Sequence, residues 1–353
     1  MELNQRITAF SKLGEFLDQF KNKDTRKNDA LELNTVFYDV FKDALIKSTQ
    51  LNAWFTAHHL EKAIEAWSDS LQTKNLEAWL KPYTFPADGV SKRVAIIMAG
   101  NLPLVGFHDF LSVLITGHKA VVKLSSNDQI LLPLLAKVLI AIEPQFQDYI
   151  TFTTEKLPEF DAVIATGSNN TARYFEYYFK NKPNIIRKNR NAVAVLNGTE
   201  TINELESLSE DIFRYFGMGC RSVSKIFVPE GYNFDNFFNG MFPKKDFIDH
   251  HKYANNYDYN KAVYLMSLFP VLDNGFLILK EDKTYSSPIA VVFYEYYNNE
   301  EELKIKLEAD SDQIQCIVSK DFIDAEVDFG NSQQPKLDDY ADGIDTVAFL
   351  LKI

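Results

Sequence analysis

At 353 residues, 46% hydrophobic and 24% charged, the chain has the composition of an ordinary folded protein with room for two or three domains. Its 37 basic and 49 acidic residues leave a formal charge of −12, which disfavours nonspecific nucleic-acid binding, and no apolar run is long enough to span a bilayer. Cys220 and Cys316 are its two cysteines, lack metal-ligand spacing and point to a reducing compartment. The start, MELNQRITAF, lacks the basic-then-apolar layout of a signal peptide, so a cytoplasmic location is expected.

Residues 1–82 read as helical. Leu3, Ile7, Phe10, Leu13, Leu17 and Phe20 recur at helical spacing and form one apolar stripe. Stretches from about Asn34 to Leu45 and from Asn52 to Trp67 continue the pattern, and KPYTFPADG (81–89) reads as an extended connector. From Arg93 the texture changes. RVAIIM (93–98), a helical pattern, Gly117 and KAVVKL (119–124) make a strand–helix–strand unit, which implies a parallel sheet. A helix over 128–143, strands YITFTT (149–154) and DAVIAT (161–166), a helix over 170–180 and a strand AVAVL (192–196) carry the rhythm on. Residues 93–196 are therefore expected to form a doubly wound, dinucleotide-type sheet.

After Gly198 an amphipathic helix runs towards Gly217-Met218-Gly219-Cys220. SKIFVP (224–229), a helical aromatic region (232–268), FLILK (276–280), PIAVVFYEY (288–296) and QCIVSK (315–320) suggest a second αβ unit. TVAFLL (346–351) reads as a final strand. The expected domains are 1–197, with the helices and cofactor sheet, 198–325, with the cysteine, and 326–353, a return or oligomerisation segment.

Cys220 follows two glycines at a helix-to-strand junction, where a tight turn presents a side chain at a sheet edge. Arg221 or local N–H groups would favour its thiolate, the reactive form. A lone cysteine is more often a small buried hydrophobe; that reading suits Cys316, inside a strand pattern, and suits Cys220 less.

FRYFGMGCRSVSKIFV resembles the cysteine-loop motif of the aldehyde dehydrogenase superfamily. AGNLPLVG (99–106), KAVVKLSSN (119–127) and ATGSNNTARYF (165–175) are similar, in order and spacing, to that family's Asn-x-Pro turn, Lys-containing cofactor strand and Gly-Ser turn. YANNYDYNKAVYL (253–265) and GNSQQPKLDDYADGIDTVAFL (330–350) resemble, more narrowly, bacterial acyl-CoA reductases of the luminescence fatty-acid reductase type. The resemblance implies an α/β fold with a Rossmann-like cofactor domain and an α/β catalytic domain. It implies NADPH-dependent reduction of an acyl-CoA or acyl-protein thioester through Cys220, with acyl-transferase or synthetase partners and a homo-oligomer joined by a C-terminal strand. Asn101 matches the asparagine that, with the nucleophile's own N–H, stabilises the oxyanion; shaping the turn before Pro103 is its ordinary job. Lys123, at a strand C-terminus, matches a ribose contact. Ser126, beside Ser125, stands where NAD-preferring relatives carry a glutamate, which favours the 2′-phosphate of NADPH. Gly167 and Ser168 match the turn under the pyrophosphate, and Ser168 is equally well a helix N-cap.

The family glutamate that activates water is missing: IIRKNRNAVAVL (185–196) has no carboxylate. An acyl-enzyme here is expected to meet hydride or a thiol rather than water. Asp211 and Glu230 remain other carboxylates for the site. Arg187, Lys188 and Arg190 are candidate phosphate contacts of CoA or NADPH, a solvated basic loop being the alternative. An ordinary NAD(P)-dependent aldehyde dehydrogenase and a noncatalytic subunit of a reductase complex are the rival functions. His108, His250 and His251 lack metal-like spacing and have no assigned role.

Overall fold

The apolar stripe of the first helix is buried along its length. In the computed structural model of the chain, which describes residues 1–22, 24–86, 89–324 and 326–353, α1 (Leu3–Asp18) buries Ile7, Phe10, Leu13, Phe16 and Leu17. Gly14 lets it approach its neighbour closely, since a Cβ there would lie 2.8 Å from Leu71 Cβ. Leu71 caps α3 (Ala57–Ser70); α2 (Asn34–Leu51) and α4 (Thr73–Leu80) complete the helical segment. Phe16 meets Phe41 of α2 edge to face at 5.5 Å, and these side chains share a core with Val94, Ile96, Phe107 and Leu135.

That core covers one face of a five-stranded sheet of β1 (Arg93–Ile97), β2 (Lys119–Lys123), β3 (Ile150–Thr153), β4 (Ala162–Thr166) and β5 (Asn184–Arg187). All neighbours are parallel, in the order β3-β2-β1-β4-β5. Strand side chains alternate between faces, so Val94 and Ile96 join the large core while Ala95 packs with Val163, Ala165, Phe175 and Phe179 on the other face. The helices are α5 (Phe107–Ile115), α6 (Leu131–Ile142) and α7 (Asn169–Phe179). From β1 the chain builds outward to β2 and β3, then returns to build β4 and β5 on the other side. The order therefore reverses between β1 and β4, the crevice where open α/β sheets bind ligands.

A second sheet contains β6 (Asn191–Val195), β7 (Val223–Pro229), β8 (Val271–Asp273), β9 (Ile278–Glu281), β10 (Val291–Tyr297) and β11 (Ile314–Val318). Its order is β11-β6-β7-β10-β9-β8, parallel except for β8 against β9. With it go α8 (Ile202–Phe213), α9 (Phe234–Met241), α10 (His251–Met266) and α11 (Glu300–Ala309). The chain falls into two units, Met1–Lys188 with Lys336–Ile353, and Asn189–Pro335.

Two expectations need correction. AVAVL does not end the dinucleotide sheet: as β6 it lies between β11 and β7, and the unforeseen NIIR of β5 is the edge strand of the first sheet. A continuous apolar run marks a buried strand but not the sheet it joins. TVAFLL does not form a strand. Thr346–Leu350 is a helix, α12, capped by Asp345, whose carboxylate accepts the Ala348 N–H at 2.8 Å. A six-residue apolar run fits either period, and here the cap decides. A C-terminal strand for oligomer formation is therefore absent from this segment. No helix of the described residues is long and apolar enough to cross a membrane.

Candidate active site

In the unit that begins the chain, candidate residues gather at the C-terminal edge of β2, β1 and β4, three adjacent strands. Met98, just past β1, donates its N–H to the Lys123 carbonyl at the end of β2, 3.1 Å away. The next turn must pass close to the β2 loop: a Cβ on Gly100 would sit 2.4 Å from Ser125 Oγ, so only glycine fits. Asn101 follows, exposed, and Pro103 behind it is buried. Leu104 is held in the left-handed region, at φ 56°, while its N–H donates to Asp128 Oδ2 at 3.2 Å. A non-glycine residue there is strained, and the Asp128 tether helps hold it. Burial raises the Asp128 carboxyl above its usual range.

Lys123 is half-buried at its strand end, Ser125 Oγ accepts the Asn127 N–H at 3.3 Å, and Ser126 is exposed beside it. Across β1, Gly167 leads from β4 into α7. A Cβ on it would meet the Thr171 side chain at 3.0 Å, so the bare backbone forms the floor of the turn. Ser168 is the N-cap: its Oγ accepts the Thr171 N–H at 3.2 Å. The fold thus brings Asn101, Lys123, Ser125, Ser126, Gly167 and Ser168 to one sheet edge, around the point where strand order reverses. A glycine turn at a helix N-terminus, a lysine at a strand end and an exposed serine fit the pyrophosphate and ribose of a dinucleotide.

The turn that carries Cys220 belongs to the unit Asn189–Pro335. After α8 the chain makes a tight turn, Arg214–Gly217, with Tyr215, Phe216 and Gly217 all left-handed at φ 55°, 57° and 73°. Two non-glycine residues in that region store strain of about 1–3 kcal/mol each. Phe216 is locked by packing on Phe247 (5.3 Å), Tyr253 (6.0 Å) and His250 (4.3 Å). Cys220 then emerges exposed, in a turn closed by the Ser222 N–H on the Gly219 carbonyl at 3.0 Å, before β7 begins. Cys316 is half-buried within β11.

The two other candidate carboxylates, Asp211 and Glu230, are placed differently from one another. Asp211 is fully buried in α8 and accepts the N–H groups of Gly330 (2.6 Å) and Ser332 (2.9 Å). Burial outweighs those bonds and pushes its carboxyl up to about 6. Glu230 is exposed past the far end of β7, roughly 20 Å along the strand from its start at about 3.3 Å per residue.

Of the expected phosphate contacts, Arg187 needs correction. Its guanidinium is buried, paired with Asp109 at 2.5 Å and donating to Thr346 Oγ1 at 3.0 Å, so it belongs to the core of the first unit. Lys188 is exposed and pairs with Glu176 at 2.8 Å, and Arg190 is half-buried, donating to the Ser311 carbonyl at 3.1 Å. His108 donates to the Leu337 carbonyl at 2.9 Å, and His250 caps α10 through Tyr253 N–H. Among the described residues no group of three His, Cys, Asp or Glu could hold a metal ion. Asp128, Ser222 and Gln333 emerge only from the structure; the turn-like SSND following KAVVKL was the one local signal for Asp128.

A model of the acyl-CoA reductase (LuxC) family matches residues 8–239. No curated protein sequence matches the chain. Among solved structures, the fold is similar to aldehyde dehydrogenase 21 from Physcomitrella patens, solved with the reaction product succinate. The TM-score is 0.68 at 14% identity, over 100% of this chain and 84% of that one. It is also similar to the indole-3-acetaldehyde dehydrogenase of P. syringae, a mutant solved with NAD+ and IAA, at TM-score 0.61 and 13% identity over 90% and 72% of the two chains. An NAD-dependent aldehyde dehydrogenase from Sinorhizobium meliloti matches at TM-score 0.61 and 11% identity, over 90% of this chain and 70% of that one.

Proposed function

Because the chain belongs to the acyl-CoA reductase (LuxC) family, we propose that it reduces an acyl-CoA or acyl-protein thioester to the aldehyde through an acyl-enzyme on Cys220, with NADPH as reductant. Family and fold together make it an aldehyde-related oxidoreductase. The observation that carries the finer reading is the exposed Cys220 on a strained turn, in the unit that follows a dinucleotide-type sheet. The P. syringae enzyme was solved with NAD+, which supports a nicotinamide dinucleotide as the cofactor of this chain.

In the acylation half, the Cys220 thiolate attacks the thioester carbonyl, the carbon–sulfur bond to the donor breaks, and the donor leaves as a thiolate that takes its proton from solvent. Bound NADPH would supply the hydride that takes the acyl carbon to the aldehyde level, with Cys220 sulfur as the leaving group. Asn101 is the oxyanion donor that the family resemblance implies. Lys123 would hold the ribose, Ser126 with Ser125 would donate hydroxyls to the 2′-phosphate, and Gly167 with Ser168 would line the pyrophosphate turn. Lys188 and Arg190 remain phosphate contacts to test, each loosened from its present partner. With no carboxylate between 185 and 196 to activate water, the acyl-enzyme survives for reduction.

The direct test compares NADPH oxidation with long-chain acyl-CoA against NAD(P)+ reduction with free aldehyde. Faster thioester reduction supports the reading; aldehyde oxidation alone gives an ordinary aldehyde dehydrogenase, and neither activity gives a noncatalytic subunit. Asn101→Ala should lower kcat by about 10²–10³, the cost of one oxyanion donor, with the melting temperature kept because the side chain is exposed. Wild-type kcat in that variant removes Asn101 from the chemistry. Ser126→Glu should cut the NADPH/NADH preference by roughly ten- to a hundredfold, since a carboxylate repels the 2′-phosphate. An unchanged ratio of kcat/KM values places 2′-phosphate recognition elsewhere.

A further inference from the structure

Cys220 sits inside a four-residue turn whose shape depends on one buried hydroxyl. Ser222 closes the turn with its N–H on the Gly219 carbonyl, and its Oγ accepts the Gly219 N–H at 3.1 Å. The same Oγ accepts the Gln333 side-chain amide at 3.2 Å, from a residue 111 positions away. A hydroxyl has two acceptor lone pairs, and both are used here. Ser222 is fully buried, so water does not compete for either.

Gln333 is delivered by a built loop. Gly330 has φ 89° and packs on Ser207 of α8, where a Cβ would come within 3.2 Å, so this position requires glycine. The Gly330 and Ser332 N–H groups both bond Asp211, also on α8. The loop 330–333 therefore grips the helix that enters the cysteine turn and, through Gln333, the turn itself.

We propose that Gln333, acting through Ser222, is a positioning residue for Cys220, holding the turn in the conformation from which the thiolate attacks. Misplacement by a fraction of an ångström is enough to slow such a step. The proposal rests on Cys220 as the nucleophile.

The test uses Gln333→Met, which keeps the volume and removes the donor, together with Ser222→Ala and the double variant. Transfer of labelled acyl from acyl-CoA to Cys220 is timed without NADPH, and Cys220 alkylation by iodoacetamide is followed against pH. Gln333→Met should acylate and alkylate roughly tenfold more slowly, with the KM for NADPH unchanged. The double variant should be no slower than Ser222→Ala alone, because the glutamine acts only through the serine. Wild-type rates in Gln333→Met, or losses that multiply in the double variant, overturn the proposal. If Ser222→Ala does not fold, Gln333→Met decides alone. If the wild-type chain takes no acyl label, the functional reading fails, and the alkylation rates still decide the role of Gln333.

Discussion

Cys220→Ala should reduce acyl-CoA-dependent NADPH oxidation to background, a loss on the order of 10⁴–10⁶ by the scale of nucleophile deletions. No neighbouring group can take over: Cys316 is half-buried in a strand, and the Asp211 carboxylate is already held by two backbone N–H groups. The fold should survive, because an exposed side chain contributes little packing and such substitutions change stability by about 0.5 kcal/mol or less. Steady-state rates and melting curves on the same preparations check both halves. A Cys220→Ala variant retaining more than a few per cent of the rate contradicts a covalent mechanism, whereas Cys316→Ala should be neutral in activity.

The second large effect is on stability. Arg187→Met should cost about 3–5 kcal/mol, because Asp109 is left as a buried carboxylate without its cation. The same change removes a donor to Thr346 at the start of α12, so the C-terminal helix should loosen as well. Pairing the change with Asp109→Leu should recover most of the loss, since a buried ion pair replaced by apolar groups of similar volume is near neutral. Urea denaturation of the three proteins measures this. A single variant within about 1 kcal/mol of wild type would mean that the Arg187–Asp109 pair does not hold the fold as its burial implies.

Much of the architecture was legible because local patterns carried it. The period-3.6 stripe of α1, the continuous apolar strands β1, β2 and β4, and the Gly-Ser turn into α7 all follow from neighbouring residues. What stayed hidden depends on distant partners. RKNR looked like a solvated basic loop, yet the partner of Arg187 lies 78 positions upstream on α5. Asp211 and Gln333 gained meaning only once loop 330–333 was seen folded onto α8 and the cysteine turn. AVAVL could not declare its sheet, because a buried run satisfies either one. TVAFLL was ambiguous in period, and the deciding cap, Asp345, sits outside the run.

The central claim is an acyl group carried on Cys220 until hydride arrives. Intact-mass spectrometry of the chain mixed with a long-chain acyl-CoA, before and after adding NADPH, tests it most directly. The expected result is one acyl adduct per chain, mapped to Cys220, stable in buffer and discharged as aldehyde when NADPH is added. Contradiction would be no adduct, an adduct on another residue, or one that water releases as free acid as fast as NADPH removes it.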